Sequence, residues 1–528
     1  MIRKKLLYCT GLLGVILLSW TLSMNSCQPP AKAYKKNHSH ADVKDENIAR
    51  GEVLATSYCQ SCHMLPSPDQ LDANTWDNGV LPQMGPRLGI FEHMYKQYPN
   101  NSADPNVGRD FYPSRPLLSD EEWGDLIDYY TALSPDTLPP QQRKDPLRAD
   151  TGLFKIEIPV QESSNTPPAT CFIRYDPSLH EVFTSDILQH SFDRWDGQLR
   201  KLPALPTGGS VVDMVSDSGV YTACNIGAFA PNNAKAGHID RFTVTGQTVA
   251  VDTSSGYFGL RRPVNIVSAD LNGDGKKDIV VCEFGFIKGA LSWLENKGEG
   301  KYEKHVLREV PGAIRAVVQD YNHDGLPDIW VLFAQGDEGI FLYTNKGHGQ
   351  FMEQPILRFP PSYGSTYFEL DDFNRDGNPD ILYTCGDNGD FSTVLKPYHG
   401  VYIFMNDGSA HFTQQYFFPI NGCYRAMARD FDGSGNLSIA AISFFPDYEH
   451  QPEEGFVYLQ NKGNLQFTPY SVPGTGSGRW MTMDVSDMDG DGKPDILLGN
   501  CSVGPSFIKS PVDFKKGPPF ILLKNPGK

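Results

Sequence analysis

Two cysteines, the second followed directly by a histidine, lie near the start of the chain and could hold a cofactor or a metal ion. Cys59 and Cys62 are separated by two residues, and His63 follows the second cysteine. Thiols at this spacing can form thioethers to the two vinyl groups of one haem, and the adjacent imidazole can bind the iron. Because zinc or a dithiol switch needs only the cysteines, the histidine favours one haem c. The alternative is two structural cysteines beside a surface histidine.

A second axial ligand decides what such an iron can do. Met84 lies in a loop rich in proline and glycine, at residues 80–86. We predict it as the distal iron ligand in preference to Met94 or His93. If Met84 only packs, the iron is five-coordinate and open to a small ligand. Two strong ligands indicate electron transfer, whereas an open position permits chemistry at the iron.

The first residues predict export. Three basic residues at positions 3–5 precede an apolar run at 6–22, and Cys27 follows shortly after. Residues 1–26 resemble a bacterial lipoprotein signal, which is cut before a cysteine that is then lipidated. The match just before Cys27 is loose, so simple secretion and an uncleaved anchor stay open. We expect the chain at the periplasmic face, the outer membrane or the cell surface, held by a lipid anchor.

Composition limits the partners. The chain has 528 residues, which is more than one ordinary domain needs. Of these residues 40 % are hydrophobic, and the formal charge is -17. Loss of the basic signal residues takes the charge to about -20. Such a chain is unsuited to nucleic acid or anionic lipid. Residues 27–46 have few apolar side chains and predict a flexible tether.

Two helices are expected around the cysteine motif. The first covers residues 48–65, and the second runs from Ser119 to Leu133 with Glu122 placed for a capping box. An N-terminal helix with this motif and a C-terminal aromatic helix resemble a small class I cytochrome c, covering residues 47–136. Residues 137–152 are predicted as a linker.

Four acidic loops with one spacing occupy the second half of the chain. Oxygen ligands stand at positions 1, 3 and 5, a glycine at 6 and a carboxylate at 9, an arrangement that can wrap Ca²⁺. An EF-hand would need Glu at position 12 and flanking helices, whereas strand-forming residues follow here. The candidate ligands are Asp270, Asn272, Asp274 and Asp278; Asp320, Asn322, Asp324 and Asp328; Asp372, Asn374, Asp376 and Asp380; and Asp487, Asp489, Asp491 and Asp495.

A fifth copy is degenerate. It keeps Asp430 and Asp432 but has Ser434 and Ser438 at positions 5 and 9. We therefore expect about four calcium ions, or five if this loop also binds. If acid count governs affinity, the loop at 487 binds most tightly and the loop at 430 most weakly.

The loops mark a structural repeat. They begin at residues 270, 320, 372, 430 and 487, and each repeat ends in an Asn-x-Gly hairpin, at Asn296, Asn345, Asn406, Asn461 and Asn525. Four short strands per repeat predict propeller blades. Two further units, 169–202 and 211–251, lack the acidic loop, which gives seven blades within residues 153–528. A strand at 154–158 is expected to complete the last blade and close the ring.

This pattern resembles the FG-GAP/VCBS propeller family, seen also in integrin alpha-subunit heads. The resemblance implies calcium-rigidified blades and a binding face, without implying a shared ligand. The fold class is therefore multidomain, with a small all-α cytochrome c domain followed by an all-β seven-bladed propeller.

Six cysteines remain in the propeller, an even number for an oxidising compartment. Their positions at strand ends suggest disulfides between neighbouring blades, with free buried thiols as the alternative. The pairs are Cys224–Cys282, Cys385–Cys423 and Cys171–Cys501.

Arginines on the innermost strands suggest a ligand face. Arg315 and Arg425 precede their acidic loops by five residues, with Arg262 and Arg479 nearby in register. With aromatic residues of the same rim, they predict a channel mouth for an anionic sugar or an acidic protein patch. Otherwise they line a wet channel. The aromatic residues are Phe284, Phe286, Phe391, Tyr448 and Phe507.

The favoured function is an exported, membrane-tethered haem c electron-transfer protein whose calcium-binding propeller docks a redox partner protein, an oxidoreductase or a ligand. An adhesion lipoprotein that binds glycan or protein is the first alternative, and a self-contained periplasmic oxidoreductase is the second. We identify no catalytic residues, because the chain has no P-loop, dinucleotide fingerprint or nucleophile motif.

Overall fold

The computed structural model describes residues 32–149, 152–160, 166–204, 209–389, 391–504 and 507–526. Cys27 and the predicted signal at 1–26 lie outside the described residues. Among the described residues, no helix is long and apolar enough to cross a membrane.

A helical domain (residues 32–136) precedes the propeller. Its two longest helices, α1 (Asp45–Tyr58) and α2 (Asp120–Leu133), have 14 residues each. Short helical turns and one hairpin connect them, at Cys59–Ser61, Pro68–Gln70, Ala73–Thr75, Trp76–Val80, Leu81–Met84, Gly85–Leu88, Glu92–His93 and Lys96–Gln97. Helix α1 is shorter than the predicted 48–65 because the chain tightens into a 3₁₀ turn at Cys59.

The two helices pack closely. The predicted capping box is present, since Ser119 and Glu122 satisfy each other's backbone N–H groups. Gly51 permits the helix crossing, because a Cβ at this position would overlap the carbonyl oxygen of Asp125. Trp76 and Tyr130 pack against each other in the core, with ring centroids 4.4 Å apart and the ring planes tilted by 37°.

The predicted tether is packed from residue 32 onward. Tyr34 and Val43 contact the helical core, and the Asn37 side chain donates to the carbonyl oxygens of Thr131 and Ser134 at 2.7 Å. The segment is therefore ordered, in contrast to the predicted flexible tether. Few apolar contacts are needed to hold it, because the Asn37 side chain satisfies carbonyl groups at the end of α2.

A seven-bladed propeller follows, as predicted. Blades 1 to 7 are separate antiparallel sheets. Their strands are Thr170–Asp176, Glu181–Asp186 and Ser191–Trp195; Val211–Asp217, Val220–Asn225, Gly237–Thr245 and Thr248–Leu260; Pro263–Ala269, Asp278–Glu283, Ala290–Gly298 and Lys301–Arg308; Ala313–Gln319, Asp328–Phe333, Gly339–Asn345 and Phe351–Arg358; Ser365–Asp371, Asp380–Cys385, Gly400–Asn406 and Phe412–Pro419; Cys423–Arg429, Ser438–Ser443, Phe456–Asn461 and Phe467–Ser471; and Trp480–Ser486, Asp495–Asn500 and Phe520–Lys524.

The ring closes as the sequence predicts. Lys155–Glu157 pairs antiparallel with Phe520–Lys524 and supplies the outer strand of blade 7. The predicted linker contributes as well, because Arg148–Ala149 adds a short parallel strand to blade 6. Both attachments remove open sheet edges.

Apolar second strands form the core between blades. Ile329 to Phe333 of blade 4 are all fully buried, as expected for a strand covered on both faces. Within a blade, the first-to-second and third-to-fourth connections lie at one end and the remaining connections at the other. The acidic loops therefore share one face of the ring.

The helical domain lies on the opposite face. The Tyr398 hydroxyl donates to the carbonyl oxygen of Gln70 at 3.0 Å, and the Asn233 amide donates to the Asp104 carboxylate at 2.9 Å. Val394 packs against the helical core. These three propeller residues lie in connections between second and third strands.

We expect Ile156→Ala to weaken ring closure. Ile156 packs against the blade 7 core from the closing strand, so its truncation should lower the free energy of unfolding by about 1–2 kcal/mol. Urea unfolding followed by tryptophan fluorescence measures the change. Ile158→Ala is the matched control, because Ile158 is 59 % exposed. Equal effects for both variants would contradict closure by this strand.

Candidate functional site

The acidic loops form one group of candidate metal sites. In the loop at 487, the Asp487 carboxylate accepts hydrogen bonds from the backbone N–H groups of Gly490 and Gly492 at 2.8 and 2.9 Å. Carboxylate oxygens of Asp487, Asp489 and Asp491 lie within 4.8 Å of one another. Three converging oxygens on a backbone turned sharply at glycine fit a hard cation such as Ca²⁺.

The loops at 270, 320 and 372 repeat this geometry. Their first aspartate accepts from the N–H group of the glycine at position 6 at 2.9 Å in each case. Asp274 pairs with Lys276 at 2.9 Å, and this hydrogen bond lowers the pKa of the Asp274 carboxyl. The pKa of Asp376 is lowered mainly by its hydrogen bond from the Asn378 backbone. The lowered pKa values favour the ionised form of the Asp274 and Asp376 carboxyls, which suits binding of a cation.

The degenerate loop at 430 keeps part of the arrangement. Asp430 accepts from the Gly435 N–H group at 2.7 Å through one oxygen, and its other oxygen is buried without a hydrogen-bond partner. Asp432 accepts from the Gln460 side chain at 2.7 Å. With Ser434 and Ser438 in place of two acids, the loop offers fewer anionic ligands than the others.

The aspartates at position 9 have a role that their predicted assignment as ligands did not include. Asp328 is fully buried. One of its oxygens accepts from the N–H group of Tyr321 in its own loop at 3.1 Å, and the other accepts from Asn345 on the third strand at 2.8 Å. Asp278, Asp380 and Asp495 make the same two bonds. Burial raises the pKa of Asp380 to about 6. These carboxylates tie each loop to its blade.

Three of the five hairpin asparagines extend this tie to the neighbouring blade, and sequence reasoning recognised them only as turn residues. The Asn345 amide donates to the carbonyl oxygen of Leu271, in the preceding acidic loop, at 3.0 Å. Asn406 reaches Tyr321 at 3.2 Å, and Asn525 reaches Phe431 at 2.7 Å. The signal available was an asparagine in all five hairpins. We call the position-9 residue and this asparagine the latch.

Charged side chains beside the loops change the net charge that each loop offers to a cation. Lys524 pairs with Asp489 at 3.0 Å and lowers the pKa of that carboxyl. Its positive charge offsets part of the negative charge that the four acids give the loop at 487. Glu295 accepts from Asn272 at 3.2 Å and adds an acid beside the loop at 270. Glu295 also lies near Glu303, but Lys297 bridges the two at 2.7 and 3.0 Å.

The cysteine motif forms the second candidate site. Cys59 is half-buried, Cys62 is exposed, and both are free thiols; burial raises the pKa of Cys59 to about 11. The His63 Nδ1 atom lies 2.9 Å from the Met64 carbonyl oxygen. Since a carbonyl can only accept, Nδ1 carries the proton and Nε2 keeps its lone pair. Burial lowers the pKa of His63, which favours this neutral form. These features fit a haem iron ligand.

The three candidate distal ligands have different surroundings. Met84 ends the short helix Leu81–Met84 and is half-buried. Met94 is 73 % exposed at the tip of the hairpin. His93 is engaged by Asp120, with 2.7 Å between the ring nitrogen and the carboxylate. Met84 is therefore the candidate that is neither mostly exposed nor paired, and its ligation stays a prediction.

The arginines predicted as a ligand face are held inside the ring. Arg315 donates to the Phe368 carbonyl oxygen and Arg425 to the Met483 carbonyl oxygen, both at 2.8 Å. Their guanidinium groups lie 4.1 and 4.9 Å from the ring centroid of buried Tyr367. Arg479 is buried beside Phe444. These contacts fix the positions of the guanidinium groups, and the ligand face stays a prediction.

The rim aromatics are also largely engaged. Phe286 and Phe391 line a recess together with Arg87 and Tyr112 of the helical domain. Tyr448 is buried against Phe514. A separate cavity of about 320 Å³ lies at the acidic-loop end of the channel, and residues of both charges line it: Arg315, Glu369, Asp371, Arg429 and Asp430. Mixed charge does not favour the predicted anionic ligand.

The propeller cysteines are free thiols, which contradicts the predicted disulfides. All six are buried, at Cys171, Cys224, Cys282, Cys385, Cys423 and Cys501. Their sulfurs lie near polar atoms: Cys385 is 3.4 Å from the Tyr398 carbonyl oxygen, and Cys501 is 3.5 Å from that of Val503. Burial strongly raises the pKa of Cys423, with Cys385 as the next cause. The predicted neighbours are thus near each other without being bonded.

Sequence comparison identifies the repeats. The family described as FG-GAP-like repeat matches residues 270–331, 320–383 and 446–498. The chain is also similar to integrin alpha-PS3 of Drosophila melanogaster, with 33 % identity over 132 residues, covering 21 % of this chain and 11 % of that protein. Integrin alpha-PS5 of the same organism is 34 % identical over 133 residues, covering 21 % and 13 %. The chain thus spans about a tenth of the length of these relatives.

Solved structures also align with the chain, at low sequence identity. Saccharomyces cerevisiae Sqt1 aligns with a TM-score of 0.44 and 9 % identity, covering 70 % of this chain and 99 % of that chain. A putative 6-phosphogluconolactonase from Bacteroides fragilis aligns with a TM-score of 0.42 and 10 % identity, covering 60 % and 93 %. The strand pairing and the matched repeats carry the assignment: the chain contains FG-GAP-like repeats in a seven-bladed propeller.

We expect Asp328→Ala to destabilise the propeller even in a chelating buffer. The substitution leaves two buried N–H groups, those of Tyr321 and Asn345, without acceptors, which should reduce the free energy of unfolding by about 2–4 kcal/mol. Denaturant unfolding in EDTA measures the loss. Asp324→Ala, in the exposed part of the same loop, should change stability by about 0.5 kcal/mol or less there. A loss for Asp328→Ala that appears only with added Ca²⁺ would argue against the latch.

Proposed function

We propose that this chain is an exported haem c electron-transfer protein whose calcium-stiffened propeller positions the redox centre and binds a partner. The observation that supports it most directly is the geometry at His63. Its Nδ1 proton is engaged by the Met64 carbonyl oxygen, so its Nε2 lone pair is available beside two free thiols of the required spacing.

The haem would supply a one-electron couple at its iron. Cys59 and Cys62 would anchor it, and His63 would ligate the iron while the Met64 carbonyl oxygen fixes the orientation of the ring. Met84 would supply the second ligand to the iron. Cys59 packs against the apolar core that contains Trp76 and Tyr130, and exclusion of water there would favour a stable potential over chemistry at the iron.

Calcium would stiffen the propeller from the face opposite the helical domain. Four loops supply converging oxygens, and the latch connects each loop to its own blade. A cation therefore reinforces loops that are already tied to the core, which suits a rigid platform.

Export and partners complete the proposal. Cys27 would carry the lipid that tethers the protein at the periplasmic face or cell surface. A redox protein or oxidoreductase would exchange electrons with the haem.

The matched FG-GAP-like repeats and the similarity to integrin alpha chains favour adhesion as a second candidate function. The ligand would be a protein or a carbohydrate, and the propeller would be the domain that binds it. Binding that persists in haem-free protein would favour this candidate.

Covalent haem attachment is the first test. In a host that attaches haem c, we expect the wild-type chain to carry one haem mass after denaturation and the Cys59→Ser/Cys62→Ser variant to carry none, since both thioethers are lost. Intact mass and the alkaline pyridine spectrum measure this. Cys224→Ser, at a buried propeller thiol, is the control and should keep the haem. Colourless wild-type protein would refute electron transfer.

The distal ligand has its own test. Thioether ligation gives ferric haem a weak far-red absorption band, which we expect Met84→Ala to remove because the sulfur is lost. Met94→Ala is the control and should retain the band. If Met94→Ala removes the band and Met84→Ala does not, the distal ligand is Met94.

Calcium binding can be counted directly. We expect isothermal titration of EDTA-treated protein to give about four sites and the Asp487→Asn/Asp491→Asn variant to have one site fewer. Asp513→Asn, an exposed acid outside the loops, should keep the wild-type count. An unchanged count in the double variant would show that the loop at 487 does not bind calcium.

A further inference from the structure

The outer hairpin of blade 3 (residues 290–308) carries a group of polar side chains apart from the acidic loops. Its two strands pair antiparallel, and in their register Glu295 lies directly opposite Glu303. Two positions along, Trp293 lies directly opposite His305. Because successive side chains of a strand point to opposite faces, these four side chains share one face of the hairpin.

The side chains on this face converge. The His305 Nε2 atom lies 2.8 Å from a carboxylate oxygen of Glu295. One ligand atom from each of Glu295, Glu303 and His305 can be chosen so that the three lie within 4.8 Å of one another. The imidazole stacks on the buried indole of Trp293, with ring centroids 4.6 Å apart. This stacking holds the ring nitrogen beside the carboxylates.

The two carboxylates need a cation between them. Like charges directly opposite each other on paired strands destabilise a sheet, and the hairpin supplies a compensating charge of its own. The Lys297 ammonium lies 2.7 Å from Glu295 and 3.0 Å from Glu303. The face thus already holds a positive charge at this position. Since the Lys297 side chain is 44 % exposed and has a flexible stem, a cation of higher charge could displace it.

We propose that Glu295, Glu303 and His305 bind a divalent transition-metal ion such as Zn²⁺, and that this ion displaces the Lys297 ammonium. Zn²⁺ accepts imidazole nitrogen and carboxylate oxygen at about 2.0–2.2 Å, which places ligand atoms about 3.3 Å from one another. The 2.8 Å separation of His305 from Glu295 is close to this value. The imidazole distinguishes the group from the acidic loops, because Ca²⁺ prefers oxygen ligands alone.

The bound ion would join the two strands of the hairpin and act on the adjacent acidic loop. The Asn272 amide donates to Glu295 at 3.2 Å, while its carbonyl oxygen accepts from the Asp274 N–H group at 3.0 Å inside the loop. Glu295 therefore connects the proposed zinc site to a predicted calcium ligand. Because two divalent ions repel each other at short range, each would weaken binding of the other, and this coupling is reciprocal.

Zinc titration of the full-length chain tests the proposal. Excess Ca²⁺ keeps the acidic loops filled, and iodoacetamide blocks exposed thiols that could otherwise bind Zn²⁺. By isothermal titration calorimetry we expect a Zn²⁺ site in the wild-type chain that weakens about tenfold or more in His305→Ala and in Glu303→Gln, since each variant loses a ligand. Lys297→Met should bind Zn²⁺ about tenfold more tightly, because the competing charge is gone.

Glu299→Gln and His348→Ala are the matched controls and should keep the wild-type Zn²⁺ affinity. Glu299 belongs to the same hairpin and its side chain is 85 % exposed. His348 is an exposed histidine in the corresponding hairpin of blade 4. Losses of the same size in these controls would overturn the inference, because binding would then not depend on the three proposed ligands.

Thermal unfolding guards against folding defects. The Glu303 side chain is 59 % exposed, and glutamine keeps its shape, so Glu303→Gln should fold and unfold like the wild-type chain without zinc. Added Zn²⁺ should raise the unfolding midpoint of the wild-type chain and raise that of Glu303→Gln by less. If the wild-type chain binds no Zn²⁺ under these conditions, or if His305→Ala and Glu303→Gln bind it as the wild type does, the inference is overturned.

Discussion

The buried carboxylate at the end of four of the five acidic loops is the interaction on which the blades that carry these loops depend. Each of these carboxylates accepts two backbone hydrogen bonds, one from an N–H group of the loop and one from an N–H group of the third strand. They belong to Asp278, Asp328, Asp380 and Asp495. A buried charge is tolerated only when hydrogen bonds compensate it. The same residue thereby orders the loop that offers ligands and fastens it to the blade, so cation binding and blade stability share one anchor.

The helical domain is organised around its contact with the propeller. The Asn233 side chain donates to Asp104 and accepts from the N–H group of Ile287 at 2.8 Å, so a propeller loop is ordered by the residue that binds the other domain. The segment between the domains is also fixed, since Gln141 donates to the His399 carbonyl oxygen at 2.7 Å. The helical domain is consequently held against a defined surface of the ring.

Much of this architecture was predictable from sequence because it repeats. The period of the acidic loops, the strands after them and the Asn-x-Gly hairpins locate five blades, and the closing strand follows from an unpaired edge at Phe520–Lys524. The latch was not predictable, since it joins residues that lie 17 to 30 positions apart. Domain docking was hidden for a similar reason: Gln70, Asn233 and Tyr398 are single polar residues in loops without a pattern. The cysteines show what strand positions can and cannot predict. Their positions at strand ends indicated which cysteines are neighbours, but could not determine whether the thiols are oxidised to disulfides.

The closing strand has a consequence for the order in which the chain can mature. Lys155–Glu157 is synthesised long before its partner at Phe520–Lys524, so blade 7 cannot be completed until that late strand is available. During that interval the ring is open, and the helical domain lacks the complete propeller surface on which it lies in the finished structure. Without Phe520–Lys524, the strands Asp495–Asn500 and Lys155–Glu157 would both lose their pairing partner and leave open sheet edges.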